Sequence, residues 1–151
     1  MNNLTDQKAG PVRLVIPGEP VAKGRPRLTK HGHVYTPDKT VSYENLVRLS
    51  YMQSYPYANL MEGQLQAIIK AFMKIPKSAT KHNQEGMEKN SIRPTKRPDC
   101  DNIAKAVLDA LNGLAYRDDS QIVVCTIGKY YSDIPRVEVD IRPLGAEEAA
   151  P

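Results

Sequence analysis

Apolar residues recur along this chain with two different periods, and the places where the period changes mark its elements. Residues 12–16 form a short β-branched and aliphatic run closed by Pro17 and Gly18, which predicts a strand and a turn. The following stretch, PVAKGRPRLTKHGHVYTP, holds too much proline, glycine and positive charge for a core strand, and predicts an exposed hairpin or loop around His31 and Gly32. Residues 38–55 contain no glycine or proline and place Val41, Leu46, Leu49 and Met52 at mixed helical steps, with Asp38 or Thr40 as a cap; a helix is expected. From residue 64 to 74 the apolar Leu65, Ala67, Ile69, Ala71 and Met73 fall on alternate positions before Pro76, so a strand is expected there.

Residues 76–98 have few large apolar side chains and many charges, which predicts a mobile loop with room for a short helical turn. Ile103, Val107 and Leu111, flanked by Ala104 and Leu108, make an apolar stripe at helical spacing that stops before Gly113. Residues 121–131 and 136–142 read as strands, the second because Val137, Val139 and Ile141 alternate with charged residues. The order β, loop, α, β, loop, α, β, β predicts an α+β domain in which a small mixed sheet packs with two main helices. One domain over residues 11–144 is expected, between loose tails at 1–10 and 145–151.

Composition supports that picture. A chain of 151 residues, 40% apolar, supplies one core and not two. Cys100 and Cys125 lack the paired spacing of zinc sites or disulfide scaffolds, and read as reduced, buried, small side chains suited to the cytoplasm. The start, MNNLTDQKAGP, lacks the order of a signal peptide, and no apolar run is long enough to span a bilayer. The expectation is a cytoplasmic protein with no membrane partner. The net charge of +4 is modest, so its distribution matters more. Lys23, Arg25, Arg27 and Lys30 crowd one segment, while Lys89, Arg93, Lys96 and Arg97 crowd another that runs into acids at Asp99. A phosphate-seeking surface beside carboxylates makes sense where a cation or a polyanion joins them.

Candidate chemistry concentrates in residues 97–121. Pro98 restricts the residue before it to extended conformations, so Asp99 and Asp101 are expected to approach the helix on a stretched backbone with both carboxylates on one side. Asp101 or Asn102 then opens the helix, and Lys105 and Asp109 follow at four-residue steps on its polar face. A chain that reverses at Gly113 can bring Asp118 and Asp119 back to the helix start. Carboxylates gathered so closely repel unless they hold a cation, and all-oxygen ligands select Mg²⁺, or Mn²⁺ in its place, over zinc. Lys105 would bring positive charge to a pentacovalent phosphate.

Each part has an ordinary explanation. Asp-x-Asp before a helix usually caps it, Asp118-Asp119-Ser120 alone is a turn, and Lys105 alone is a solvated residue with Asp109 as its ion-pair partner. The set is what carries weight, because acids, lysine and basic flank occur together. The three histidines are scattered over loops with no ligand spacing.

The run DCDNIAKAVLDALNGLAYRDDSQI resembles the signature of the RusA family of Holliday junction resolvases, with D-x-D-N, a lysine four residues past the second acid, D-A-L, then D-D-x-Q. GEPVAKGRPR and YTP resemble that family's N-terminal half, so the similarity spans roughly residues 12 to 143. The resemblance implies metal-binding acids at Asp99, Asp101 and Asp119, an essential lysine at Lys105, and a supporting acid at Asp118. Cys100 stands where an aliphatic residue is common. It also implies a symmetric homodimer that acts on four-way or branched DNA in recombination and repair, prophage-type members being common. Magnesium is the cofactor implied, with no small-molecule cofactor. Lys23, Arg25, Arg27, Lys30, Lys96 and Arg97 are the expected DNA contacts, with Tyr35 placed to stack on a base or sugar. Competing expectations are a non-catalytic basic DNA-binding module and a flap- or fork-cutting metal nuclease.

Overall fold

The computed structural model of the chain describes residues 10–24, 27–35 and 38–146. Both expected tails fall largely outside that range. Three strands bury alternate residues on one face, which is the signature of a sheet covered on one side. They are β1 (Val12–Pro17), β4 (Leu65–Lys74) and β6 (Arg136–Pro143), and they contribute Val12, Leu14 and Ile16, then Leu65, Ala67, Ile69, Ala71 and Met73, then Val137, Val139 and Ile141. Between β1 and β4 lie the small hairpin β2 (Arg27–Leu28) and β3 (Val34–Tyr35) and the long helix α1 (Asp38–Ser54). The chain after β4 forms α2 (Lys81–Glu88), α3 (Cys100–Ala110), a short 3-10 turn at Asp119–Gln121 and β5 (Ile122–Ser132) before β6. The sheet order is β1-β6-β4-β5, with β1, β6 and β4 antiparallel in turn and β5 parallel to β4. Parallel neighbours require a crossover, and the segment bearing α2 and α3 supplies it. The mixed α+β architecture expected from the residue pattern is the one observed.

Two helices cover the inner face. α3 buries Ile103, Ala104, Ala106, Val107, Leu108 and Ala110, the stripe read from its spacing. α1 is a helix as expected, but its buried stripe is Tyr43, Val47 and Tyr51 at successive four-residue steps. Val41, Leu49 and Met52 lie on its exposed side instead. Tyrosine rings provide more area to bury than the aliphatic residues they displaced, and their rims tolerate partial wetting.

Two further expectations need correction. Residues 76–98 hold the helical turn expected within a loop, but it is a capped helix and not an open segment: Thr80 caps α2 by accepting a hydrogen bond from the Asn83 backbone N–H at 3.2 Å. The chain that follows is fastened to β5. Arg93 Nε donates to the Lys129 carbonyl at 2.8 Å, and its guanidinium lies 4.0 Å from the Tyr130 ring centroid. Lys129 Nζ donates to the Lys96 and Pro98 carbonyls at 2.7 and 3.0 Å. β5 itself is an edge strand with Val123 and Val124 exposed. The cysteines are accordingly not core residues: Cys125 is exposed on β5 and Cys100 is half-buried. Among the described residues no helix is long and apolar enough to cross a membrane.

Candidate functional site

α3 presents its apolar stripe to the sheet, so its remaining face must look outward, and Asp101, Lys105 and Asp109 lie along that face. Asp101 and Lys105 are exposed and Asp109 is partly buried. The helix opens one residue earlier than expected, at Cys100, with Asp99 in the N-cap position. Asp99 and Asp101 are therefore a cap residue and a first-turn residue rather than alternate positions of a strand. The ordinary role of an N-cap aspartate is not filled, because the Asp99 side chain makes no capping hydrogen bond. Its exposed carboxylate is left for other work.

Asp119 goes elsewhere than expected. The chain leaving α3 makes a tight excursion in which the buried Tyr116 hydroxyl donates to the Leu108 carbonyl at 2.6 Å and the Gly113 N–H donates to the Tyr116 carbonyl at 2.7 Å. These bonds keep the turn against the last turn of α3 and stop it running back to the first. The Asp119 backbone N–H then donates to Asn112 Oδ1 at 2.8 Å. Its carboxyl meets that of Asp109; burial, the Asp109 hydrogen bond and the charges of Asp109 and Asp118 hold its proton above the usual carboxyl range. Asp118 plays the turn role expected of it, capping the 3-10 turn in a box with Gln121. Hydrogen bonds from Ser120 hold the Asp118 carboxyl below its usual range.

The acids thus fall into two groups on one helix, Asp99 with Asp101 at its start and Asp109 with Asp119 near its end. At a rise of about 1.5 Å per residue, Asp101 and Asp109 stand about 12 Å apart along the axis, with Lys105 between them. Among the described residues no three of His, Cys, Asp or Glu come together as a metal cage. The donor chemistry nevertheless fits magnesium, which is commonly held by one or two carboxylates with substrate phosphate and water completing its shell. Asp99 and Asp101 provide that number.

Lys23, expected to face phosphate, is committed internally. Its Nζ lies 2.6 Å from Asp109 Oδ2 and 3.0 Å from Glu44 Oε1, so Asp109 pairs with Lys23 and not with Lys105. Burial pulls the ammonium pKa down, but the hydrogen bonds and charges of Asp109 and Glu44 outweigh it and raise the value above the ordinary lysine range. The loop bearing Lys23 is also stitched by its backbone. The Lys23 N–H donates to the Asn102 carbonyl at 3.1 Å, and the Gly24 N–H donates to Thr40 Oγ1 at 2.8 Å.

The other basic candidates come from separate segments of the chain. Arg27 sits on β2, Lys30 at the hairpin tip, and Lys96 and Arg97 precede α3; all four are exposed. Arg25 and the Tyr35 side chain lie outside the described residues. Arg27, Arg97 and Asp99 share a cleft with Lys39, a residue that reading the sequence passed over because a single lysine in a first helical turn looks solvated. Glu44 and Asn112 were passed over as well, since their partners are distant in sequence.

Against known proteins, the model of the family described as endodeoxyribonuclease RusA matches residues 17–142, most of the chain. The chain is also similar to the uncharacterized protein YqaN of Bacillus subtilis (strain 168), being 41% identical over 140 residues that cover 89% of this chain and 98% of YqaN.

Proposed function

The chain belongs to the RusA endodeoxyribonuclease family, and from that premise we propose that it is a magnesium-dependent endonuclease that resolves Holliday junctions by paired phosphodiester hydrolysis. The observation that carries the reading is the outward face of α3, where Asp99, Asp101 and Lys105 stand exposed inside the matched segment. Asp99 and Asp101 would hold the cation, while Asp119, seated beside Asp109 near the far end of α3, would meet the substrate from the other side of Lys105, with Asp118 in support. When bound, such an ion polarises a phosphoryl oxygen and lowers the pKa of a bound water. Lys105 neutralises charge that builds on the phosphate oxygens in the transition state. Arg27, Lys30, Lys96 and Arg97 hold the flanking backbone, with Arg25 from the same basic segment.

A four-way junction offers two equivalent scissile phosphates, so paired cuts call for two active sites in two-fold relation, and a homodimer is the proposed working form. Its setting would be recombination and repair of DNA in the cytoplasm, in a prophage-type role. The test is digestion of a four-way junction, a flap and a linear duplex in parallel, in magnesium and in EDTA. Paired, magnesium-dependent nicks confined to the junction support the reading. Preferred cutting of the flap would reassign the substrate, and binding without any magnesium-dependent product would make the chain a DNA-binding module. Asp101→Asn is expected to bind the junction and leave it uncut.

A further inference from the structure

Most cations near the acidic helix are already engaged. Lys23 is held by Asp109 and Glu44, Arg93 by a carbonyl and a tyrosine ring, Lys129 by two carbonyls, and Arg48 by the Ala110 carbonyl. Arg27, Lys39 and Arg97 differ: among the described residues none of their side chains makes an ion pair or hydrogen bond. They come from three separate elements, yet they line one cleft of about 760 Å³. That volume lies within the ~300–1,000 Å³ typical of ligand sites. Asp99 is the acid in the wall, so cations exceed acids there by three to one.

Three unpaired cations around a shared hollow repel one another, and the single carboxylate of Asp99 in the same wall offsets only part of that charge. The loop wall is held in place regardless, because the Lys23 N–H and Gly24 N–H bonds fix it to α3 and α1. A cationic cleft of this kind suits an anion whose charge repeats along its length, since one small anion reaches only part of it. Asp99 at its edge joins it to the acidic face.

We propose that this cleft carries the sugar–phosphate backbone of the DNA strand entering the active site, and that Lys39 is a phosphate contact alongside Arg27 and Arg97. The inference rests on the nuclease reading above and adds where the strand lies.

The experiment measures binding of the full chain to a labelled four-way junction across a series of salt concentrations. Each phosphate contact contributes about 0.7–0.9 to the slope of log K against log salt. Lys39→Gln is expected to flatten the slope by that amount, Lys39→Arg to restore it, and Lys39→Gln combined with Arg27→Gln and Arg97→Gln to flatten it by about 2–3. Lys70→Gln, on the exposed side of β4, keeps the wild-type slope. Inorganic phosphate at matched ionic strength is expected not to displace the junction; if it does, the cleft is a small-anion site and the proposal is overturned. A wild-type slope in a folded Lys39→Gln protein overturns it too. Should Lys39→Gln not fold, Arg27→Gln and Arg97→Gln, both at exposed positions, decide by the same reading. A wild-type chain that binds no branched DNA removes the nuclease reading itself, whereas cutting with an unchanged Lys39→Gln slope removes the cleft alone.

Discussion

Replacing Lys23 by Met asks whether its ammonium is an internal strut or a DNA contact. The Nζ atom stands 2.6 Å from Asp109 Oδ2 and 3.0 Å from Glu44 Oε1. The three side chains are 25%, 20% and 15% exposed, so water screens the cluster only in part. An exposed ion pair contributes about 0–1 kcal/mol, and stranding the partner of a fully buried pair costs about 3–5 kcal/mol. Partial burial with two stranded carboxylates places Lys23→Met at about 2 kcal/mol of lost stability. For a chain of this size that lowers the Tm by about 4–8 °C. Because Asp109→Asn removes one of the stranded charges, the double variant should lose less than the sum of the singles, with a coupling of about 1 kcal/mol or more.

The pH dependence has a definite sign. A lysine whose folded pKa is raised above its ordinary 10.5 contributes fully below that value and loses its contribution as pH climbs through the folded value. The stability gap between wild type and Lys23→Met is therefore flat from neutral pH up to the lysine range and closes above it. Thermal and urea denaturation read these quantities, and the salt slope of junction binding supplies an independent check. A Tm within about 1 °C of wild type, together with a slope flattened by about 0.7–0.9, would refute the strut and return Lys23 to the DNA surface.

Two further outcomes follow from the Asp119 environment. Asn112→Ala removes the 2.8 Å acceptor that seats the Asp119 backbone, and is expected to slow single-turnover cleavage by about 10–100-fold while junction affinity holds. An unchanged rate would show that Asn112 does not position the acid. Asp119→Asn is expected to abolish cleavage yet raise stability at neutral pH by about 0.5 kcal/mol, because it removes a charge that burial and Asp109 disfavour. A raised carboxyl pKa costs the fold stability as pH rises through it. The advantage of the variant should therefore be present at neutral pH and fade toward the ordinary carboxyl value of 3.8, as denaturation at several pH values would reveal.

Elements whose stability comes from burying one face were legible from spacing alone. The stripe of α3 and the alternation in β4 and β6 are direct prints of that requirement. α1 could be recognised by its freedom from breakers, but not its inner face, since Tyr43 and Tyr51 serve as core while carrying hydroxyls. α2 was hidden because it buries only Met87, and the chain after it is held by cations on carbonyls and a ring, interactions that leave no period in the sequence. In the candidate site the residue types were legible and the distances were not. Lys23 finds Asp109 across 86 positions, and the hydrogen bonds of Tyr116 and Asn112 decide which end of α3 receives Asp119.

The stitched loop after β1 has a mechanical consequence. Its backbone is anchored to Asn102 in the first turn of the acidic helix and to Thr40 near the start of α1, and its lysine to Asp109 two turns further along the acidic helix. On the proposed function, grip and scission would share one foundation, and force exerted by a branched duplex on the loop would be passed through these bonds to the acidic helix. Loosening any one of those three anchors should blur the cut position before it weakens the hold on DNA.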